Sequence, residues 1–466
     1  MSNITVNPVT RIEGHAKITL DTDDSGGVTR GHLQVLEIRG FEKLLEGMEL
    51  FKMPLITGRI CGVCPAAHHM ASVTAIENGL GVKIPDAARS LRELMYMGHI
   101  LHSHALSTFV LTGPDILAGL SAPPEQRSVF NLLKLNPDVV KKVLRLRSIG
   151  QRIVEIVGGR GVHPVTSVPG GITYSPPDEE MENMADWGKE ALAIIDELGG
   201  IVGQKLDAMA DIRAAAEIPY SSAALSSDGQ VSFFQAPCVI MGPDGAVQKS
   251  FEAEEYAKHL VEHSMEGSYM KSVRLRGDHE DNFFVGPLAR LNVNESFSTP
   301  KATEMLKAFR DKGHPRKSAL DFIEARLVEM VHCCERIAEI ASAGVTGDLI
   351  TEATPGKGRF VGMVEAPRGI LIHEYETNEE GRLTGANLIV ATQNNYDAID
   401  HSITALASLF KEAGDDNLLM NGVEFALRCY DPCLACATHT AGRMPMIVEE
   451  RRNGKLVRTF ERGAER

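Results

Sequence analysis

The chain has 466 residues, with 48 Lys and Arg against 62 Asp and Glu, and a formal net charge of −14 at pH 7. Since one domain usually has about 100–200 residues, we expect two or more lobes. A hydrophobic share of 43% and a charged share of 24% exclude a disordered or fibrous chain. The acidic balance argues against nucleic acid or an anionic membrane surface as the main partner.

The sequence predicts a β-hairpin near its start and a mostly helical middle. Residues 15–38 alternate between apolar and polar side chains around a turn at residues 24–27, as strands do. Apolar residues then recur at helical spacing over five stretches, which are residues 64–80, 87–112, 138–157, 178–214 and 315–343. The middle of the chain is therefore expected to form long amphipathic helices.

Strand patterns return near the end of the chain, from about residue 360 to 391, with a turn at residues 378–381. A helix is expected from about residue 396 to 412, followed by a short segment rich in cysteine. We find no internal repeat and no low-complexity linker. The predicted fold class is α+β, with a predominantly helical core and small peripheral β-sheets.

The sequence carries no targeting pattern. The first fifteen residues lack the basic and apolar regions of a secretory signal. No stretch approaches the about 18 apolar residues of a membrane-spanning helix. We therefore expect a cytoplasmic protein, whose eight cysteines are free thiols or metal ligands because thiols stay reduced there.

Two Cys-x-x-Cys motifs lie at opposite ends of the chain, Cys61/Cys64 and Cys433/Cys436. A two-residue gap lets two thiolates bind one ion, so the two pairs together can form a four-sulfur metal site. The second pair begins 369 positions after the first ends, whereas small zinc modules place their pairs about 15–20 residues apart. This spacing favours a catalytic soft-metal site, and a structural zinc site remains the alternative.

The other four cysteines have no partner at this spacing. They are Cys238, Cys333, Cys334 and Cys429. Free cysteines of this kind usually behave as small buried hydrophobic residues, and we predict that role for them.

The two motifs resemble the nickel-binding signatures of the large, catalytic subunit of nickel–iron hydrogenases. Four further segments resemble the same family in the same order: residues 8–15 (PVTRIEGH), 39–44 (RGFEKL), 365–369 (EAPRG) and 392–395 (TQNN). Three features are similar to the soluble multimeric cytosolic group of this family. They are the absence of targeting patterns, the stretch at residues 101–106 and the stretch at residues 391–395. The implied activity is the reversible heterolytic splitting of dihydrogen.

The resemblance implies a nickel–iron centre held by the four motif cysteines. Nickel would be bound by Cys61, Cys64, Cys433 and Cys436, with Cys64 and Cys436 bridging to an iron that carries carbon monoxide and cyanide ligands. Soft thiolates suit both metals. Cys433 resembles the terminal thiolate that accepts the proton when dihydrogen is split.

The resemblance also implies a polar and apolar pocket around the metals. Arg368 matches an arginine whose guanidinium lies over the metal pair, and Asp431 resembles a carboxylate beside it. Ala366, Pro367 and Thr392 match the pocket for the diatomic ligands, with Thr392 donating a hydrogen bond to a cyanide nitrogen. On the residues alone, Arg368 would belong to a surface turn and Asp431 would be a turn former.

Two further sites follow from the same resemblance. Glu13 resembles a carboxylate that relays protons, a role that suits a buried Glu with a raised pKa. Glu42, the backbone carbonyl of Leu388 and His439 resemble the ligands of a structural magnesium. On the residues alone, Glu13 would form a loop salt bridge, Glu42 would be a surface charge and Leu388 a core residue.

The chain has too few spare cysteines for a cluster relay of its own, so we expect its partner to be an iron–sulfur small subunit. The resemblance implies further flavin or iron–sulfur subunits that deliver electrons to NAD(P), a deazaflavin, ferredoxin or a disulfide reductase. Residues 159–164 resemble a loop that faces the nearest cluster of the partner.

The last 27 residues form a separate region. Residues 1–439 are expected to be the catalytic region, and residues 440–466 to be an extension removed after His439 by a maturation endopeptidase. The extension carries seven Lys and Arg and four Glu. The alternative is a terminal strand pair around a turn at Asn453 and Gly454.

Three other functions are alternatives to a catalytic hydrogenase subunit. A regulatory dihydrogen sensor shares the metals, although sensors usually lack the extension. The cofactor-free relative in respiratory NADH dehydrogenase lacks the four nickel cysteines, all of which are present here. A zinc-stabilised structural protein is the remaining alternative.

Overall fold

The computed structural model describes residues 2–7, 9–35, 40–123, 125–265, 267–277, 281–434, 446–452 and 455–462. Within these ranges the α-helices are α1 (Phe41–Leu45), α2 (Met53–Thr57), α3 (Pro65–Leu80), α4 (Asp86–Ala105), α5 (Gly113–Ala118), α6 (Val129–Leu135), α7 (Pro137–Gly158), α8 (Asp178–Asp207), α9 (Ala210–Ala215), α10 (Tyr256–His259), α11 (Pro287–Val293), α12 (Pro300–Asp311), α13 (Asp321–Ala343), α14 (Ala391–Asn394), α15 (Tyr396–Glu412) and α16 (Asp416–Cys429).

The strands described in the same ranges are β1 (Ser2–Asn7), β2 (Ala16–Thr22), β3 (Val28–Val35), β4 (Ser167–Val168), β5 (Gly171–Ile172), β6 (Ser221–Ser227), β7 (Gln230–Val231), β8 (Cys238–Met241), β9 (Val247–Phe251), β10 (Leu260–His263), β11 (Ser272–Leu275), β12 (Phe283–Phe284), β13 (Gly358–Ala366), β14 (Gly369–Thr377), β15 (Leu383–Ile389), β16 (Met446–Arg452) and β17 (Lys455–Arg462).

Four long helices, α4, α7, α8 and α13, pack against one another and enclose the largest hydrophobic core. The apolar residues of α7 and α8 recur on one face, so these helices bury that face and expose the opposite one. Helices α4 and α13 are instead buried on nearly all sides over most of their length. Helix α7 is capped at its start by Asn136, whose side chain accepts a hydrogen bond from the Val139 N–H. The helix ends at Gly158 and is followed by Gly159 in the left-handed conformation. None of the helices described is long and apolar enough to cross a membrane.

Helices α4 and α7 approach closely through two glycines. A Cβ atom built on Gly98 would lie 2.9 Å from the carbonyl oxygen of Gly150 and 2.9 Å from Cβ of Ile153. We expect Gly98→Ala to lower the free energy of unfolding by about 1–3 kcal/mol, because the helices must separate. Gly200→Ala is the control, since Gly200 in α8 has no atom within 4 Å of its built Cβ and should gain about 0.5–1 kcal/mol. Denaturant unfolding measures both, and equal effects would contradict the prediction.

Small sheets surround this helical core. Strands β13, β14 and β15 form an antiparallel sheet that packs on α3. The sheet of the N-terminal strands has the order β17-β16-β1-β2-β3, so the two C-terminal strands join this sheet next to β1. In the pairing of β1 with β16, Ser2 lies opposite Arg452 and Asn7 lies opposite Ile447. The predicted α+β class is confirmed.

The elements agree with the sequence pattern in most places. The N-terminal hairpin is β2 and β3, the helix expected at 396–412 is α15, and the strands expected at 360–391 are β13 to β15. The helix predicted to begin at residue 315 begins at Asp321 instead, because the Asp321 carboxylate accepts the Ser318 N–H at 3.1 Å and ends the preceding turn. The stretch 87–112 continues past α4 as a π-helical segment, Leu106–Leu111.

Candidate metal centre

Three of the motif cysteines come together although they are far apart in the sequence. The Sγ atom of Cys433 lies 3.2 Å from that of Cys61 and 3.8 Å from that of Cys64, and all three sulfurs lie within 4.8 Å of one another. Cys61 follows a 3₁₀ turn, Cys64 is the N-cap residue of α3, and Cys433 follows α16. The predicted fourth sulfur, on Cys436, and the predicted magnesium ligand His439 lie outside the described residues.

The crowding of these sulfurs has an electrostatic consequence. Thiol hydrogen bonds with Cys61 and Cys64, followed by burial, raise the pKa of Cys433 well above its ordinary value. The hydrogen bond with Cys433 lowers the pKa of Cys64, but the contact with Cys61 and burial outweigh it, so that pKa is also raised. Two buried thiols and a partly buried one at this spacing cannot all ionise unless a cation offsets their charge, and a soft metal ion would supply that charge.

Backbone N–H groups around Cys61 favour the ionised form of its sulfur. The N–H groups of Val63 and Cys64 donate to Sγ of Cys61 at 3.3 and 3.1 Å. Hydrogen bonds from backbone N–H groups favour the ionised form of their acceptor. The turn between the two cysteines therefore stabilises a thiolate at Cys61.

A buried arginine lies beside the sulfurs. Arg368 donates to the backbone oxygen of Asp431 at 2.6 Å and forms an ion pair with the Asp431 carboxylate at 3.0 Å. Burial lowers the pKa of Arg368, but Asp431 and then the three cysteines outweigh it, so the pKa is raised and the cation is permanent. Its Nη1 atom is buried and has no hydrogen-bond partner among the described residues, which leaves the N–H groups of this atom for a ligand at the centre.

Close packing fixes the turn that carries Arg368. Gly369 has φ +127°, and a Cβ atom built on it would lie 2.3 Å from a methyl group of Val285. Gly286 faces the same turn, where a Cβ atom would lie 2.7 Å from the Arg368 oxygen. Neither position has room for a side chain, so the Arg368 backbone cannot move away from the centre.

The predicted relay residue Glu13 lies next to Cys433. The two residues form an isolated parallel bridge, and the Leu434 N–H donates to the backbone carbonyl oxygen of Glu13 at 3.1 Å. Glu13 is buried. The N-terminal segment is held there by Thr10, whose N–H and hydroxyl both donate to the Glu424 carboxylate, at 2.8 and 2.9 Å.

The predicted pocket residues are also buried near the sulfurs. The Thr392 hydroxyl oxygen accepts the Cys433 N–H at 3.1 Å, so its own O–H can donate elsewhere. The carbonyl groups of Ala366 and Pro367 accept from the guanidinium of Arg290 at 3.1 and 3.2 Å. The structure brings these three residues to the neighbourhood of Cys433 and Arg368, and their function remains a prediction.

The two described members of the predicted magnesium site differ in exposure. Glu42 lines a cavity of about 660 Å³, whose wall also includes Cys61, Thr392 and Cys433. Leu388 is fully buried on β15, opposite His373 of β14. A magnesium ion at the Leu388 carbonyl therefore remains a prediction.

Sequence reasoning missed a buried ionic network behind the pocket. Arg290 is bound to Glu329 at 2.6 Å and to Glu365 at 2.7 Å, and Glu329 is also hydrogen-bonded to His104 at 2.7 Å. All four side chains are completely buried. The only sign in the sequence is an arginine within the apolar run of α11, where a charged residue is rare unless it is paired.

Buried histidines make the stability depend on pH. Burial is the main cause that lowers the pKa of His69 and His104 to about 4, and that of His102 and His332 to about 3. The unfolded chain therefore binds more protons than the folded chain below the ordinary value of 6.5. We expect the free energy of unfolding to fall as pH decreases from 6.5 toward 4, by up to about 1.4 kcal/mol per pH unit for each histidine. Denaturant unfolding at pH 7.5, 6.5 and 5.5 measures this slope, and a flat profile would contradict it.

The donor set defines the class of site. Three cysteine sulfurs at this spacing, two of them buried, suit a soft transition metal. The Nη1 atom of Arg368, which has no hydrogen-bond partner among the described residues, suits a small anionic ligand on that metal. Hard cations such as calcium would require oxygen ligands instead. The site is therefore that of a thiolate-bound metalloenzyme of the soft-metal class.

The family described as "Nickel-dependent hydrogenase" matches residues 39–134 and 199–439, and one described as "HoxL-like" matches residues 3–38. The chain belongs to the nickel-dependent hydrogenase family, as the large, catalytic subunit of a nickel–iron hydrogenase. This confirms the resemblance and the enzyme class inferred from the sequence. Membership implies an active site of nickel and iron.

The relatives match this chain over nearly their whole length. The chain is 38% identical over 425 residues to a subunit of the F420-non-reducing hydrogenase vhu of Methanococcus voltae, covering 88% of this chain and 100% of that one. It is 34% identical over 470 residues to the beta subunit of the NAD-reducing hydrogenase HoxS of Cupriavidus necator, covering 96% of each. A solved NAD⁺-reducing [NiFe]-hydrogenase in its H2-reduced state has a TM-score of 0.89 at 32% identity, covering 94% of this chain and 99% of that one.

Proposed function

We propose that the chain splits dihydrogen at a centre built from Cys61, Cys64, Cys433 and Cys436, and that the electrons leave through a partner iron–sulfur subunit. The observation that carries this proposal is the meeting of three sulfurs from both ends of the chain beside the buried Arg368. A structural zinc site needs no unpaired donor beside its thiolates, whereas Nη1 of Arg368 is buried there without a hydrogen-bond partner among the described residues.

The four cysteines would hold nickel, with Cys64 and Cys436 shared with an iron that carries carbon monoxide and cyanide. When bound, the two metals supply the Lewis acidity and the electron-accepting capacity that heterolytic splitting requires. The Thr392 hydroxyl is available to donate to a cyanide nitrogen, because its oxygen already accepts the Cys433 N–H. Ala366 and Pro367 would form the apolar wall for these ligands.

The side chains around the centre would bind and transfer the protons released from dihydrogen. Cys433 would hold the first proton on Sγ, which lies within 3.8 Å of the other two described sulfurs. Glu13 would take that proton onward, because its backbone is bridged to that of Cys433 and its side chain is buried. Arg368 would stay charged throughout, held in place by Asp431, and would stabilise negative charge at the centre.

Partner contacts would lie on the Cys61 side. The ring of His163 is hydrogen-bonded through Nδ1 to the carbonyl oxygen of Gly58 at 2.9 Å, three residues before Cys61. This contact joins residues 159–164, the loop expected to face a partner cluster, to the turn that carries the first motif. Further flavin or iron–sulfur subunits would pass electrons to a soluble acceptor such as NAD(P), ferredoxin or a disulfide reductase, in the cytoplasm.

The remaining parts have supporting roles. Glu42, the Leu388 carbonyl and His439 would bind magnesium. Residues 1–439 would form the mature catalytic region, and a maturation endopeptidase would remove residues 440–466. The pairing of β16 with β1 and β17 supports a tail that is attached to the N-terminal strand before its removal. Intact mass of the active enzyme tests this, and a full-length mass with full nickel and activity would refute it.

Infrared spectroscopy and turnover test the function. We expect bands of metal-bound carbon monoxide and cyanide in the purified complex, together with dihydrogen oxidation coupled to a dye. Bands without rapid turnover would instead indicate a regulatory sensor. Absence of the bands in a nickel-loaded complex would contradict the proposal and leave a structural metal site.

A further inference from the structure

A buried ionic cluster is centred on Asp115 of α5. The Asp115 carboxylate is completely buried and binds three guanidinium groups, those of Arg11 at 2.6 Å, Arg127 at 2.8 Å and Arg428 at 2.9 Å. Arg428 also binds the Glu424 carboxylate at 2.6 Å. Burial raises the pKa of Asp115, but Arg428 and then Arg11 outweigh it, so the pKa is lowered and the carboxylate stays charged. The cluster joins the N-terminal segment, α5 and α16.

The cluster binds the backbone on the N-terminal side of Glu13. Arg428 donates to the Thr10 carbonyl oxygen from Nε at 3.0 Å and from Nη2 at 2.8 Å. Arg11 donates from Nη1 to the Leu111 carbonyl oxygen at 2.7 Å. Hydrogen bonds from charged donors are stronger than neutral ones. Thr10 and Arg11, which lie three and two positions before Glu13, are therefore both fixed by the cluster.

The segment that is bound in this way is not part of a regular element. Residues 9–15 connect β1 with β2 without belonging to a helix or a strand. Arg11 has φ +56°, in the left-handed region that residues with a side chain rarely adopt. A backbone in that region persists where its surroundings hold it, and the contacts of Arg11 with Asp115 and Leu111 do so.

The same cluster fixes the other side of the bridge between Glu13 and Cys433. Glu424 and Arg428 belong to the last two turns of α16, and Cys433 follows five residues after Arg428. In the bridge, the Leu434 N–H donates to the backbone carbonyl oxygen of Glu13 at 3.1 Å. Both partners of the bridge are therefore attached to one buried cluster within five residues of the chain.

Stability alone does not explain why this cluster is charged. Its three guanidinium groups face two carboxylates, so one positive charge is in excess within the cluster. A buried ionic cluster is often no more stabilising than apolar residues of similar volume. A guanidinium group does, however, bind two acceptors in a fixed geometry. Here the second acceptors are the carbonyl oxygens of Thr10 and Leu111.

We propose that Arg11 and Asp115 are positioning residues for proton transfer, and that they hold the backbone of Glu13 against that of Cys433. This inference rests on the proposed function. In the transfer, the S–H bond of Cys433 breaks, an O–H bond forms on the Glu13 carboxylate, and no electrons are transferred. A proton donor and its acceptor must lie within hydrogen-bond reach, directly or through one water, and a misplacement of about 1 Å can cost about 100-fold in rate.

Arg11→Met tests the proposal in the assembled complex. Arg11 is 20% exposed, and its loss leaves Asp115 with two other cations. We expect dihydrogen oxidation, per centre counted by its infrared bands, to fall by at least about 10-fold. The ratio of the rate in H2O to the rate in D2O should rise above the wild-type ratio, because proton transfer then limits turnover. Loss of folded complex would leave that ratio unchanged.

The matched control is Arg127→Met, which removes an ion pair from the same carboxylate. The Arg127 side chain is 4% exposed, so its loss should disturb the cluster at least as much. Arg127 lies between α5 and α6 and has no hydrogen bond to residues 9–15 or to α16 in the described ranges. We expect the wild-type isotope ratio and turnover per centre. Equal changes in the Arg11 and Arg127 variants would overturn the proposal.

Glu13→Gln separates this inference from the proposed function. If Arg11 acts through Glu13, adding Arg11→Met to Glu13→Gln should lower turnover by no more than about 2-fold further. A further loss as large as that of Arg11→Met alone would overturn the positioning role. Normal turnover in Glu13→Gln would refute the relay in the proposed function, whereas slow Glu13→Gln with normal Arg11→Met would overturn this inference alone.

Hydrogen–deuterium exchange of the backbone provides a readout that does not depend on turnover. The Leu434 N–H is protected while its hydrogen bond to the Glu13 carbonyl oxygen is formed. Exchange in the peptide that contains Leu434 should be faster in Arg11→Met than in the wild-type complex, and unchanged in Arg127→Met. The same exchange rate in all three complexes would overturn the proposal.

Discussion

Replacing Cys433 by serine is expected to lower dihydrogen turnover by more than about 100-fold. Loss of a residue that only supports a metal ligand costs up to about 100-fold, and Cys433 is predicted to be a ligand itself. Cys433 lies within 3.8 Å of both other described sulfurs, so its loss removes the sulfur common to both contacts. A serine hydroxyl is a harder and weaker ligand for nickel at neutral pH. Nickel content by mass spectrometry should fall together with activity.

Cys334→Ser makes the same chemical change at a residue that we predict to be structural. Cys334 is fully buried in α13, and burial raises its pKa to a value that keeps it a neutral thiol. Its replacement should reduce stability by about 1–3 kcal/mol, because a buried hydroxyl needs a partner, and should leave the nickel content unchanged. Normal nickel and turnover in Cys433→Ser would refute the ligand assignment.

Local patterns in the sequence were sufficient for most helices and for the motif cysteines. The apolar periodicity of α7 and α15 predicted both nearly to the residue, because each helix buries one face on the core. Strand β6 was not predicted, since six of its seven residues are buried and its serines and alanines show no alternation. Burial on both sides of a strand removes the periodicity on which such predictions depend.

The site shows the same division. The spacing of Cys61 and Cys64 predicts that they share an ion, but nothing local indicates that Cys433 reaches them across more than 360 positions. That contact depends on the bridge between Glu13 and Cys433 and on the packing of α16, which are long-range features. The family resemblance supplied what the spacing could not.

Arg290→Met is expected to have the largest effect on stability. The guanidinium is completely buried and binds both Glu329 and Glu365, so its removal leaves two buried carboxylates without their cation. Loss of one partner from a buried ionic network usually costs about 3–5 kcal/mol. The variant also loses the hydrogen bonds to the carbonyl groups of Ala366 and Pro367, so any infrared bands should shift or broaden.

The loss of stability in Arg290→Met should depend on the charges that remain rather than on packing, because a Met side chain fills a volume similar to that of Arg. Adding Glu329→Leu to Arg290→Met removes one of the two buried carboxylates that lost their cation. We expect the double variant to unfold at a higher denaturant concentration than Arg290→Met. Arg145→Ala is the surface control: its pair with Glu190 is 43% exposed on both sides, and its loss should cost about 0–1 kcal/mol. If Arg290→Met unfolded like Arg145→Ala, the network would not be needed to hold the turn that carries Arg368.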